Sequence, residues 1–116
     1  MSREKIAKDF AYRILSRFEG EIEKVILFGS VARGESGTNS DIDVLVVTRQ
    51  KDIGIMKEIC GIAFEISICR FDDISPKIYS HDEILRGLQV RTPFVEEILN
   101  NEVPLHGSIQ DYAAAA

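Results

Sequence analysis

A single α/β domain, a small mixed sheet flanked by helices, is the fold class that this sequence predicts. Three observations carry it. Apolar residues recur every four positions near the N-terminus, two apolar β-branched runs bracket a polar loop, and two helical segments close the chain. Its 116 residues suffice for one core and leave little for a second.

Residues 3–19 are expected to form an amphipathic helix. Ile6, Phe10, Ile14 and Phe18 share a stripe with Ala7, Ala11 and Leu15 beside it. Lys5, Lys8, Arg13 and Arg17 take the other faces, and Gly20 is the stop. IEKVILF, 22–28, suits a buried strand that Gly29 ends. Residues 30–34 make one helical turn, with Ser30 expected as its N-cap. Residues 35–40 are a polar loop, and DIDVLVVT, 41–48, is a second strand. A short helix is expected over 52–60, ending at Gly61. IAFEISICR, 62–70, has the β character of a third strand. ISPKIYS, 74–80, reads as a fourth, and Pro76 puts it at an edge. Residues 81–90 and 93–101 read as helices, the second opened by Pro93. One domain over 1–112 is expected, with 113–116 a disordered tail outside the functional argument.

Composition narrows the function. Fourteen basic and 19 acidic residues give a net charge of −5, which disfavours nucleic-acid binding by charge alone. No apolar run approaches a membrane span, and MSREKIAKDF lacks the apolar stretch of a signal peptide, so a cytoplasmic, non-membrane protein is expected. Cys60 and Cys69 sit among apolar neighbours and read as free thiols; two cysteines are too few for a cysteine-built metal site. His81 and His106, 25 apart, lack ligand spacing and read as surface residues.

The chemistry concentrates in GSVARGESGTNSDIDVLVV, 29–47. Carboxylates are disfavoured in strands, yet Asp41 and Asp43 open one. Side chains at i and i+2 share a face, so the two anions repel unless a divalent cation lies between them. Mg²⁺ prefers such oxygen ligands. The bland alternative is a solvated strand end with Asp41 turning the loop. Gly29 and Ser30 end a strand and begin a turn whose backbone N–H groups can meet a phosphate, glycine permitting close approach. The bland alternative there is an ordinary cap. Three rival motifs fail: Val31 breaks the dinucleotide fingerprint, Gly34 is followed by Glu35 and Ser36 rather than by the P-loop's Lys, and Val46 stands where an EF-hand counted from Asp41 needs glycine.

Gly29-Ser30, ten residues, then Asp41-Ile42-Asp43 resembles the signature of the polymerase-β-type nucleotidyltransferase superfamily. Arg33-Gly34-Glu35, Ser40 directly before Asp41, and the ending TPFVEEILNNEVPLHG resemble its minimal single-domain members, the minimal nucleotidyltransferases of toxin–antitoxin pairs. The resemblance implies that Asp41 and Asp43 ligate two Mg²⁺ ions. It implies that Gly29, Ser30 and Ser40 bind the nucleotide, with ATP as substrate. It also implies a third carboxylate on a neighbouring strand. Glu65, central in IAFEISICR, is expected to be that catalytic metal ligand, although this position is most often aspartate; its alternative is the solvent face of the strand. Asp72 and Asp73 read as turn residues, and Arg33 as a surface partner of Glu35. Phe94 is expected in the core, and Tyr79 is left between a base and the core. Small members act with a helical HEPN-type RNase toxin, whose tyrosine hydroxyl can receive AMP. That antitoxin role is the expected function. Neutralisation by binding alone, or nucleotidylation of a small molecule, are the alternatives.

Overall fold

The computed structural model describes residues 2–35 and 40–115. Ten elements follow in order: α1 (Arg3–Arg17), β1 (Ile22–Phe28), α2 (Gly29–Ala32), β2 (Ile42–Thr48), α3 (Ile53–Arg70), β3 (Ile74–Ser80), α4 (His81–Val90), α5 (Pro93–Asn101), β4 (Val103–His106) and α6 (Gln110–Ala115). Four of the helices begin at a side-chain cap. Ser2, Asp52 and Thr92 each accept from a backbone N–H of the first turn, and Ser80 with Glu83 forms a reciprocal capping box.

One four-stranded sheet in the order β3-β2-β1-β4 organises the chain. β1 pairs antiparallel with β2 and β4, whereas β2 and β3 run parallel. β3 is an edge strand, which tolerates Pro76. Alternation along the strands divides the core into two layers. Val25, Leu27, Ile42, Val44 and Val46 face α1 and α3, packing on Phe10, Ile14, Ile59 and Ile66. Ile26, Phe28, Leu45 and Val47 face α4, α5 and α6, packing on Ile84, Val95, Ile98 and Ile109. No helix among the described residues is long and apolar enough to cross a membrane.

Residues 62–70 correct the expected third strand, and Gly61 ends no helix. α3 runs unbroken over 18 residues. Parallel strands need a crossover of a dozen residues or more, and this helix is that crossover. Only Ile59, Ala63, Ile66 and Ser67, at helical spacing, are buried. Phe64 and Ile68 are exposed at 67% and 56%, so the helix is apolar all round and its periodicity is hidden in the sequence. Cys60 and Cys69 lie exposed on it as free thiols rather than among apolar packing. Two further elements escaped the sequence reading. β4 is only four residues long, and α6 extends through 113–115, where a tail was expected. Residue 116 lies outside the described residues, as do 36–39 of the expected polar loop.

Candidate active site

At one end of the sheet, Phe28, Asp43 and Ser75 occupy one row across β1, β2 and β3. Their face is the one covered by α5, since Phe28 belongs to that core layer and Phe94 stacks edge-on against it at 5.4 Å. Tyr79, further along β3, tilts against the same Phe94 at 5.3 Å and lines a cavity of about 430 Å³ between α4 and α5. Phe94 is therefore core, as expected, and Tyr79 joins packing to an open surface.

Gly29 begins α2 with φ +76°, a conformation that side chains resist. A Cβ there would collide with Asp43 Oδ2 and lie 3.2 Å from its Cγ. The glycine thus serves two ends: it turns the chain and lets the Asp43 carboxylate lie against the backbone. Ser30 is not the N-cap of α2. That position is Phe28, with no side-chain cap, so Ser30 sits inside the turn. Its carbonyl accepts from Glu35 N at 2.9 Å, while its hydroxyl has no bonded partner among the described residues.

Asp41 is exposed immediately before β2, and its position is fixed from both sides. Ile42 N donates to Asp73 O at 2.8 Å. On the other side, the Arg3 guanidinium donates to Ser40 Oγ at 2.9 Å and to the Ser40 carbonyl, and it also holds both oxygens of Asp72 at 3.0 Å. Ser40 and Asp72 thereby tie the start of β2 to α1. Arg33 donates to Glu35 at 3.1 Å and to Glu97 of α5 at 2.8 Å, and Asn101 holds the other Glu97 oxygen at 2.7 Å. The expected Arg33–Glu35 pair is present and extends into a tether between α2 and α5.

Burial raises the Asp43 pKa above the ordinary carboxylate value; Lys77 and Arg33 offset this, while Asp41 and Glu97 add to it. Among the described residues no hydrogen-bond donor reaches the Asp43 carboxylate. A half-buried, undonated carboxylate near a second one is a donor set that suits a divalent, oxygen-seeking cation.

Glu65 is not part of this arrangement. It projects from α3, which packs on the opposite layer of the core, and pairs with Arg13 at 3.2 Å on an exposed surface. Among the described residues no cluster of three or more His, Cys, Asp or Glu side chains could hold a metal. Lys77 and Ser75, which the sequence reading passed over, share Asp43's face instead. Their signal was the alternation of Ser75, Lys77 and Tyr79 in an edge strand, which was legible but unassigned.

Comparisons with known proteins agree with this fold. The sequence model of the nucleotidyltransferase domain family matches residues 8–106. Two proteins of Methanocaldococcus jannaschii, named as candidate protein adenylyltransferases, are similar. One is 49% identical over 47 residues, 40% of this chain and 47% of the relative. The other is 35% identical over 98 residues, 82% of this chain and 90% of the relative. Among solved structures, a toxin–antitoxin crystallised with AMP-PNP superposes with a TM-score of 0.58 at 21% identity, covering 92% of this chain and 78% of that one. A Shewanella oneidensis complex of a tri-AMPylated HEPN toxin with its minimal nucleotidyltransferase antitoxin gives 0.52 at 16% identity, covering 96% and 78%. These two share the fold. With the family match spanning most of its length, the chain belongs to the nucleotidyltransferase family.

Proposed function

We propose that this chain is a Mg²⁺-dependent protein adenylyltransferase that moves AMP from ATP to a tyrosine of a small helical HEPN-type toxin, and so acts as its antitoxin. The carrying observation is the seating of the Asp43 carboxylate against Gly29, with Asp41 two residues away, in a chain of this family. Asp41 and Asp43 hold the cation, whose charge supplies electrostatic stabilisation to the phosphates. Gly29 and Ser30 meet the polyphosphate through backbone N–H and hydroxyl groups. Ser40 serves the nucleotide indirectly, by fixing the chain before Asp41. In the transfer, the acceptor oxygen forms a bond to the α-phosphorus, the bond to the bridging oxygen of the β-phosphate breaks, and pyrophosphate leaves. The acceptor's proton passes to solvent or a nearby base.

Support for the acceptor comes from relatives named for protein adenylylation and from a fold shared with an antitoxin bound to an AMPylated toxin. Incubation with ATP, Mg²⁺ and the product of the neighbouring reading frame, read by intact mass, tests the proposal. The expected result is one or more AMP units on the partner, mapped to tyrosine. A second reading, neutralisation by binding alone, is favoured by the absence, among the described residues, of a group of three or more possible metal ligands. A stable complex whose partner gains no mass would establish it and overturn transfer.

A further inference from the structure

Lys77 belongs to the same face of the sheet as Asp43. In the parallel register Asp43 pairs with Ser75 and Leu45 with Lys77, so Ser75 and Lys77 follow each other along Asp43's side of β3. The Lys77 side chain bends back along the strand and donates from Nζ to Ser75 Oγ at 3.2 Å, which brings its charge toward the Asp43 row. The two cations of this neighbourhood differ in commitment. Arg33 is shared between Glu35 and Glu97. Lys77 makes no ion pair within 4 Å among the described residues.

We infer that Lys77 is a phosphate-positioning residue, and that the site holds one tightly bound divalent cation on Asp41 and Asp43 with the Lys77 ammonium as the fixed second cation beside it. This rests on the nucleotidyltransferase reading above and adds the division of labour within that site. The charge arithmetic supports it. Two carboxylates and one divalent cation sum to zero, so that unit alone offers a polyphosphate no net attraction. Lys77 makes the sum +1. In the free protein the same ammonium tempers the repulsion between Asp41 and Asp43. Once a cation satisfies the carboxylates, the nearest uncommitted anions for Lys77 are phosphate oxygens, and an ammonium meets them as a compact point charge.

Binding measurements on the intact chain separate the alternatives without relying on turnover. Mn²⁺ titration by electron paramagnetic resonance, without nucleotide, should give one tight ion on the wild type. Lys77→Met should bind that ion at least as tightly, because a like charge has gone. The same substitution should weaken AMP-PNP in the presence of Mg²⁺ about tenfold or more, the range expected for losing one hydrogen bond to a charged group. Adenosine, which lacks phosphate, should bind both proteins equally, and Lys77→Arg should recover part of the loss. Unchanged AMP-PNP affinity in a folded Lys77→Met, or two tight Mn²⁺ ions on the wild type, would overturn the inference and leave the family chemistry standing. A wild type that binds neither Mn²⁺ nor AMP-PNP would instead overturn the catalytic reading beneath it.

Discussion

The contact between Gly29 and Asp43 couples backbone conformation to site charge in a single pair. Gly29→Ala meets two costs at once. A side chain at φ +76° is strained by about 1–2 kcal/mol, and its Cβ must displace the Asp43 carboxylate. Lower thermal stability and a loss of Mn²⁺ affinity are expected together, measurable by melting and titration on one sample. Asp43→Asn separates those readouts. Burial raises the Asp43 pKa, so ionisation of this group weakens the fold at neutral pH and protonation relieves it. The asparagine variant without metal should melt a few degrees higher than wild type at pH 7. That advantage should fade as pH falls through the raised value toward 3.8, where wild type is itself protonated. Transfer should be abolished. A lower melting temperature at pH 7 would show that the carboxylate is satisfied by a bond this geometry lacks. Glu65→Gln, by contrast, should leave transfer unchanged, because that side chain lies beyond the opposite face of the sheet and pairs with exposed Arg13. At this scale the sequence was informative where chemistry is local: Gly29, Ser30, Asp41 and Asp43 are contiguous enough to be seen as a unit. It was silent on Lys77 and Arg3: Leu45, which Lys77 faces across the sheet, lies 32 residues away and Ser40, which Arg3 binds, 37 away, placements set by strand register and helix position.

Among the elements, α3 separates what patterning can reveal from what it cannot. The first helix, α4 and α5 were legible because each has one wet face, and β1 and β2 because strands buried on both faces read as short, apolar, β-branched runs. α3 has an exposed face nearly as apolar as its buried one, and Ile66, Ser67, Ile68 and Cys69 then mimic strand alternation. A substitution can distinguish the two structures. Gly61 is exposed in mid-helix, and a Cβ there meets nothing within 4 Å. Gly61→Ala should therefore stabilise the protein by about 0.5–1 kcal/mol through helix propensity, seen as a higher urea midpoint at constant slope. Ser67 tests the join to β3. Its buried hydroxyl donates to Ala63 O at 2.7 Å and accepts from Ile74 N at 2.9 Å, linking the helix to the first residue of the edge strand. Ser67→Ala leaves the Ile74 N–H unpaired and should cost about 1–3 kcal/mol. Hydrogen exchange should show that loss first at Ile74 and Ile42, which begin the paired strands beside Asp43.

Over the whole molecule, residues distant in sequence meet at Glu23 on β1. Its Oε1 accepts from Tyr112 of α6 at 2.6 Å and pairs with Nδ1 of His81, the first residue of α4, at 2.7 Å. His81 and Tyr112 also stack edge-on at 5.4 Å. One carboxylate thus anchors the C-terminal helix and the α4 start to the central sheet, across separations of 58 and 89 residues that no sequence periodicity encodes. Burial pushes the Glu23 pKa upward, but the Tyr112 and His81 bonds and the charges of His81 and Lys24 outweigh it and hold the group below 4.5. The sign follows from that direction. A lowered carboxylate pKa contributes stability that is present above 4.5 and is lost as pH falls through the folded value. Glu23→Gln retains an acceptor oxygen for Tyr112 but cannot ionise. At pH 7 it should be less stable than wild type by about 1 kcal/mol, the lower range for a bond to a charged group because the side chain is partly exposed. As pH falls from 4.5 toward 3, wild type should lose this advantage while the variant has none to lose, so the two unfolding free energies should converge. Paired urea titrations at pH 7 and pH 3.5 measure the difference directly. A gap of the same size at both pH values would mean that Glu23 contributes by shape alone, and that the charge on this carboxylate does not hold the two ends of the fold together.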